Sequence, residues 1–278
     1  MLKKLIVCAI LSYVLNVANA QTIKTPAPSP TQTIKQDFGI GSIELSYSRP
    51  GIKGRKLGVD IAPYGMVWRT GANQATTVSF SDTVSIGGTV IAPGKYGFVS
   101  IPNKDQWTLI LTKQLNVTAP NAYKEENDVV RVVAKPVLLK DPVETFTMQF
   151  ANVKPTTTDL QLMWDNVLVS LPISMDIDSR IMADIKKTMV SDPRPYFQAG
   201  MYYLDNNKDL NQAITWFDKA IEQNPGGYFI YHQKANALAK LGRKDEARTA
   251  AQKSMQLAKE QKVDEYVQLN EKLIASLR

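Results

Sequence analysis

The stretch Ile43-Glu44-Leu45-Ser46-Tyr47-Ser48 decides the first half of the chain. Ile43, Leu45 and Tyr47 alternate with Glu44, Ser46 and Ser48, so apolar and polar side chains fall on opposite sides of an extended strand. Arg49-Pro50-Gly51 stops the run. Outward from it the same grammar repeats. Residues 76–80 and 83–86 read as strands, and Gly87-Gly88 predicts a tight hairpin into Thr89–Ile91. Residues 96–101 and 106–112 read as a second hairpin around Pro102-Asn103-Lys104-Asp105. Strands at 129–133, 144–150 and 160–164 follow, with a turn at Asp165-Asn166 before a strand at 167–173. Short strands with almost no helical periodicity predict an antiparallel β-sandwich or jelly-roll-like domain over residues 34–178.

Near Asp178 the period changes. Ile181, Met182, Ile185 and Met189 recur at helical spacing. Asp192-Pro193 reads as a helix N-cap followed by a proline at the first helical position. Leu210, Ala213, Ile214, Phe217, Ala220 and Ile221 mark one helix face, and Pro225-Gly226-Gly227 breaks it. Helices at 228–241, 245–258 and 264–277 follow. Ala213 and Ala247 lie 34 residues apart, the tetratricopeptide period. Gly200, Phe217, Ala220 and Pro225 fit the first copy, whereas Ala251 stands where the second should carry an aromatic. Residues 179–278 therefore read as five helices, two tetratricopeptide-like pairs among them, the last helix capping the stack.

The N-terminus carries an export signal. Lys3 and Lys4 precede an apolar stretch at 5–17, and Ala18-Asn19-Ala20 fits a small-x-small cleavage site, so residues 1–20 read as a signal peptide and the mature chain begins at Gln21. The apolar stretch is shorter than the roughly 20 residues a spanning helix needs, and no second one follows. The expectation is an exported, periplasmic protein with no transmembrane segment after cleavage. Pro26, Pro28 and Pro30 among Thr and Ser make 21–33 an extended linker. Formal net charge is +7, or +5 after subtracting Lys3 and Lys4. The basic residues are scattered and not interleaved with aromatics, which argues against nucleic-acid binding. Cys8 is the only cysteine and His232 the only histidine. The mature chain thus has no disulfide, thiol nucleophile or thiolate metal site. A Ser-His-Asp triad or two-histidine metal site reduces to one residue lacking an obvious partner, and His232 reads as a packing or surface residue. No cofactor or metal is expected.

Ile34-Lys35-Gln36-Asp37-Phe38-Gly39, Tyr47-Ser48-Arg49-Pro50-Gly51, Gly54-Arg55 and Pro63-Tyr64-Gly65 stand out along this half of the chain, as do Val67-Trp68-Arg69-Thr70-Gly71-Ala72-Asn73, Pro93-Gly94-Lys95-Tyr96 and Tyr123-Lys124-Glu125-Glu126-Asn127-Asp128. Together these stretches resemble DUF2911, a family of unknown function made up of exported proteins, mostly from Bacteroidetes. The resemblance spans the β domain and implies the domain boundary and a periplasmic setting. It implies no activity.

Chemistry is sought between strands, because loops carry function more often than the elements they join. The loop from Arg49 to Asn73 holds Arg49, Lys53, Arg55, Asp60, Tyr64, Trp68, Arg69 and Asn73 among five glycines. Arginines grip carboxylates or phosphates through paired hydrogen bonds, and Trp68 or Tyr64 offers a ring to stack on. One reading is an anion- or sugar-binding pocket. The other is a long ordered loop, with Trp68 packed on the sandwich and the arginines paired with acids. The expectation to be tested is that Arg49, Arg55 and Arg69 converge at one end of the sandwich beside Trp68 or Tyr64. A second cluster, Glu125, Glu126 and Asp128 with Arg131, suits paired-carboxylate chemistry, a calcium site or a solvated charged loop, and its spacing fits no EF-hand motif. Three readings compete, one of them a purely structural role. Another is an envelope protein binding a ligand on its β domain and a protein partner on its repeats. The alternative is a hydrolase or lyase acting on glycans or peptides through those carboxylates and arginines.

Overall fold

The computed structural model describes residues 25–190 and 194–277. The expected signal peptide and Asp192-Pro193 cap lie outside the described residues. The chain divides into two compact units, one ending at Ile177 and the other beginning at Asp178.

The first unit holds ten strands among the described residues: β1 (Thr31–Phe38), β2 (Gly41–Ser48), β3 (Thr77–Phe80), β4 (Val84–Ile86), β5 (Thr89–Ile91), β6 (Gly94–Ile101), β7 (Trp107–Thr112), β8 (Asp128–Ala134), β9 (Val137–Ala151) and β10 (Thr157–Ser174). They form a six-stranded sheet ordered β1-β2-β3-β6-β7-β8 and a four-stranded sheet ordered β5-β4-β10-β9. Every pairing within the sheets is antiparallel. The alternation in β2 does what its period requires: Ile43, Leu45 and Tyr47 are buried and Glu44 is exposed. They share one core with Phe98, Leu109 and Leu111 of the same sheet and with Phe146, Met148, Leu160 and Leu171 of the other. Tyr47 also ties the sheets together. Its hydroxyl accepts the Met148 N–H at 2.9 Å, and burial holds its phenol above the ordinary tyrosine range.

Three expectations within this unit need correction. Thr31, Gln32 and Thr33 are not linker, since β1 starts at Thr31 and pairs Thr31 with Ser48. The hydroxyls of Thr31 and Thr33 lie 3.2 Å from those of Ser48 and Ser46, so a polar sequence still makes a strand by cross-strand pairing. Asp165-Asn166 is not a turn. β10 runs through it with a shift of register, and Asp165 takes φ 50°. The surplus residues lie on β9, an edge strand, where Pro142 needs no ladder donor. The third follows from the second, because β9 begins at Val137, well before the expected 144.

The second unit holds six helices among the described residues: α1 (Asp178–Thr188), α2 (Tyr196–Asp205), α3 (Leu210–Gln223), α4 (Tyr228–Lys240), α5 (Lys244–Glu260) and α6 (Asp264–Ser276). The sequence suggests five. The sixth is α1, over the helical spacing of Ile181, Met182 and Ile185; between α2 and α3 Asn207 turns left-handed at φ 51° and Asp209 caps the next helix, accepting the Asn211 N–H at 2.9 Å and the Gln212 N–H at 3.3 Å. The repeat logic holds in three dimensions. Ala213 and Ala247 are wholly buried. A Cβ on Gly200 would lie 2.8 Å from the Phe217 ring, so the glycine is what lets α2 close on α3. His232 is buried in α4, its Nδ1 2.8 Å from Asn270 Oδ1. The Asn270 amide donates to Ser254 Oγ and to Tyr266 O, so Oδ1 faces the ring and Nδ1 carries the proton. His232 is a satisfied core residue.

Candidate ligand site

The loop after β2 is stitched to both sheets. Gly51 bridges Thr145 of β9, Ile52 N–H donates to Glu144 O at 2.8 Å, and Phe146 N–H donates to Pro50 O at 2.8 Å. Further on, Trp68 exchanges both backbone bonds with Ser100 of β6, at 2.7 and 2.9 Å. Between these anchors the backbone folds back on itself. Lys53, Ala62, Thr70 and Asn73 all take left-handed φ values between 45° and 55°. Such a conformation is uncommon outside glycine and is unfavourable for a β-branched residue. Thr70 is held in it by its hydroxyl, 2.9 Å from Ser100 Oγ, and by its carbonyl, which accepts the Thr76 hydroxyl at 2.7 Å.

This fold-back surrounds a cavity of about 560 Å³ in the β unit. Trp68 forms its aromatic wall. The indole stacks on Trp164 at 5.4 Å and 16°, meets Phe146 and Trp107 edge-on at 5.0 and 6.2 Å, and donates Nε1–H to Gly71 O at 3.0 Å. Both readings of Trp68 therefore hold at once: it packs on the sandwich and also lines a cavity.

The structure separates the three arginines. Arg55 and Arg69 line the cavity, together with Asn73. Arg49 does not; its Nε donates to Phe146 O at 3.2 Å and its Nη2 to Thr147 Oγ1 at 2.8 Å, which makes it a clamp between the loop and β9. Tyr64 also lies outside the lining, its ring covering the site where a Gly58 Cβ would project. The guanidinium of Arg55 donates to Ile52 O at 3.1 Å and Gly51 O at 2.6 Å, and that of Arg69 to Asn73 O at 2.9 Å. These are backbone acceptors, and among the described residues no carboxylate lines the cavity. Asp60 is occupied in its own turn, accepting the Lys56 N–H at 2.8 Å.

Glu125, Glu126 and Asp128 form a different cluster. Asp128 Oδ2 accepts from Arg131 Nε at 2.6 Å and from the Tyr123 hydroxyl at 2.5 Å. Arg131 also pairs with Glu125 at 3.0 Å, and Lys124 lies 4.0 Å from Glu126. Burial, reinforced by Asp128, pushes the Tyr123 phenol up to about 12. Burial works against the charge of Arg131, but its bonds to Asp128 and Tyr123 more than offset this and hold the guanidinium protonated. The acids are thus bound to their own basic residues, away from Arg55 and Arg69. The alternative in which acids pair with the loop arginines is not what the structure shows for Glu125, Glu126 and Asp128, and none of them lines the cavity.

Trp164 is the cavity-lining residue that sequence reasoning missed. It sits in β10, far along the chain, and only the packing of one sheet on the other brings it to Trp68. A tryptophan beside the Asp165 irregularity was the one available signal.

The tetratricopeptide repeat pattern matches residues 193–226, in register with α2 and α3, and a second repeat pattern matches 216–249. Helices of this kind are a protein-interaction architecture. Among the described residues no helix is long and apolar enough to cross a membrane. No curated protein and no solved structure matches the chain. The pattern described as "Protein of unknown function (DUF2911)" matches residues 29–173, more than half of the 278-residue chain and nearly the whole β unit, and the chain belongs to that family.

Proposed function

We propose that this is an exported ligand-binding protein of the cell envelope, whose β unit holds a small molecule in the Trp68 cavity and whose helices hold a protein partner. One observation carries the ligand reading. A cavity of about 560 Å³ is bounded mostly by apolar side chains and furnished with two cationic groups, and among the described residues no carboxylate lines it. Small-molecule sites have this size and this sparse polar furnishing. Left-handed backbone at Ala62, Thr70 and Asn73 is the kind of local strain that surrounding structure maintains at binding loops. The hydrolase or lyase alternative draws no support from the carboxylates, which lie bonded to Arg131 and Lys124.

The test is a thermal-shift screen of the whole protein with neutral sugars, sugar acids, aromatic acids and short peptides. A ligand at a hundred times its Kd stabilises by about 2.7 kcal/mol. Ala72→Trp, placed in the cavity wall, should abolish the shift. A panel that leaves the melting temperature unmoved counts against the binding reading, which falls if calorimetry with naphthyl probes is silent as well. Export rests on Lys3, Lys4, the apolar stretch and Ala18-Asn19-Ala20. Mass spectrometry of the native protein should find Gln21, or its cyclised form, at the terminus, and retention of residues 1–20 refutes it.

A further inference from the structure

The cavity's two cations and its walls say more about the ligand than that it exists. This step rests on the binding reading above. Arg55 and Arg69 each keep guanidinium N–H groups beyond those given to Gly51, Ile52 and Asn73 carbonyls. Arg55 is exposed and Arg69 half-buried, so water screens part of the repulsion between them, and no carboxylate of the described residues lines the cavity to offset the rest. The rest of the wall is apolar: Ile61, Pro63, Met66, Trp68 and Pro120 contribute to it. Asn73 is the remaining side chain there with an amide, and its Nδ2 already donates to Ser29 O at 2.9 Å. A sugar needs hydrogen-bonding partners around its ring, because a polar group buried without one is unfavourable. Among the side chains of this wall only Asn73 and the two arginines offer such partners, and apolar surface makes up the larger share of the lining.

We infer that the cavity binds an amphipathic anion, a single carboxylate or phosphate held by Arg55 and Arg69 and carried on an apolar or aromatic body that lies against Trp68. Arg49 has no part in this grip, and Trp68 is held rigidly enough by Trp164, Phe146 and Ser100 to present a fixed surface.

The experiment is calorimetric titration of the whole protein with four probes: 2-naphthoate, 2-naphthyl phosphate, 2-naphthylmethanol and glucuronate. The naphthyl body is constant in the first three and the anion is varied or removed. Glucuronate keeps the anion and replaces the apolar body with a polar ring. Binding of one or both naphthyl anions, at least about ten-fold tighter than the neutral alcohol and than glucuronate, is expected, and which anion leads identifies the head group. Each of Arg69→Gln and Arg55→Gln should weaken the naphthyl anion by about ten-fold or more, the order expected for a lost charge-assisted bond. The neutral alcohol should be unaffected. Arg55→Gln also loses loop contacts, so its melting temperature is measured alongside, and Arg69→Gln, with one exposed bond, serves as the variant that keeps the fold. Equal binding of alcohol and anion, tightest binding of glucuronate, or anion binding indifferent to Arg69→Gln overturns the amphipathic-anion assignment while leaving a binding cavity. Silence from all four probes in a protein that the broader screen shows binding a neutral ligand also overturns it. Silence in both experiments removes the binding reading itself.

Discussion

Arg49→Met tests the division of labour among the loop arginines. Methionine keeps an unbranched stem and removes the guanidinium. Two bonds disappear: Nε to Phe146 O at 3.2 Å and Nη2 to Thr147 Oγ1 at 2.8 Å. A hydrogen bond from a charged donor contributes about 1.5–3 kcal/mol net. Arg49 is half-buried, and the Nε bond is long, so solvent compensates part of the loss. The expected destabilisation is about 2–3 kcal/mol. For a unit of this size each kcal/mol moves the melting midpoint by roughly 2–4 °C, a fall of about 4–12 °C. Arg69→Met loses a single exposed bond to Asn73 O and should cost about 0.5 kcal/mol or less. The assay is urea and thermal unfolding followed by tryptophan fluorescence. Trp68, Trp107 and Trp164 report the β unit, and Trp216 the helices, so the β transition must be separated before a two-state fit. Equal destabilisation by the two variants, or a stable Arg49→Met protein, refutes the assignment of Arg49 as clamp and Arg69 as a group free to meet ligand.

Three further perturbations probe the rest of the chain. Ala213→Leu puts a branched side chain at a wholly buried position of α3 and should cost about 1–3 kcal/mol by overpacking, read as an earlier helical transition in far-ultraviolet circular dichroism. Asn270→Ala leaves the His232 Nδ1–H and loses the donor that Ser254 Oγ accepts, both in the interior of the helical unit. A loss of about 1–3 kcal/mol is expected in urea unfolding, and none if water replaces the amide. Tyr123 supplies a pH dependence. Its phenol, held at about 12 in the folded unit by burial and then by Asp128, titrates near 10 once unfolded. The stability it contributes is fully present below about pH 10 and is lost as pH rises towards 12. Tyr123→Phe should flatten the fall in stability between those limits, leaving the share due to Tyr47, and an unchanged slope contradicts the raised phenol.

The division between strands and helices was legible because side-chain period is a local property. Ile43, Leu45 and Tyr47 need only their neighbours to declare a strand, and the spacing of Leu210, Ala213 and Phe217 likewise declares a helix. Turn chemistry was legible for the same reason: Gly87-Gly88 reports a left-handed backbone that any partner would have to accept, and the structure places it between β4 and β5. The sequence also named Arg55, Trp68, Arg69 and Asn73 as residues of one loop. Where local reading failed, a long-range partner decided. Thr31-Gln32-Thr33 looks like linker until β2 pairs with it. Asp165-Asn166 looks like a turn until β9 carries the surplus residues beside it. The same holds for the site. Nothing in the order of residues distinguishes Arg49 from Arg69, since both are arginines flanking one loop. Their roles diverge because β9 passes within reach of Arg49 and offers it acceptors, whereas the fold-back at Thr70 to Asn73 leaves Arg69 on a cavity wall with Trp164 of another strand. Guanidinium chemistry is written in the sequence, but whether a carboxylate, a carbonyl or open space faces it depends on contacts that only packing the sheets together can make.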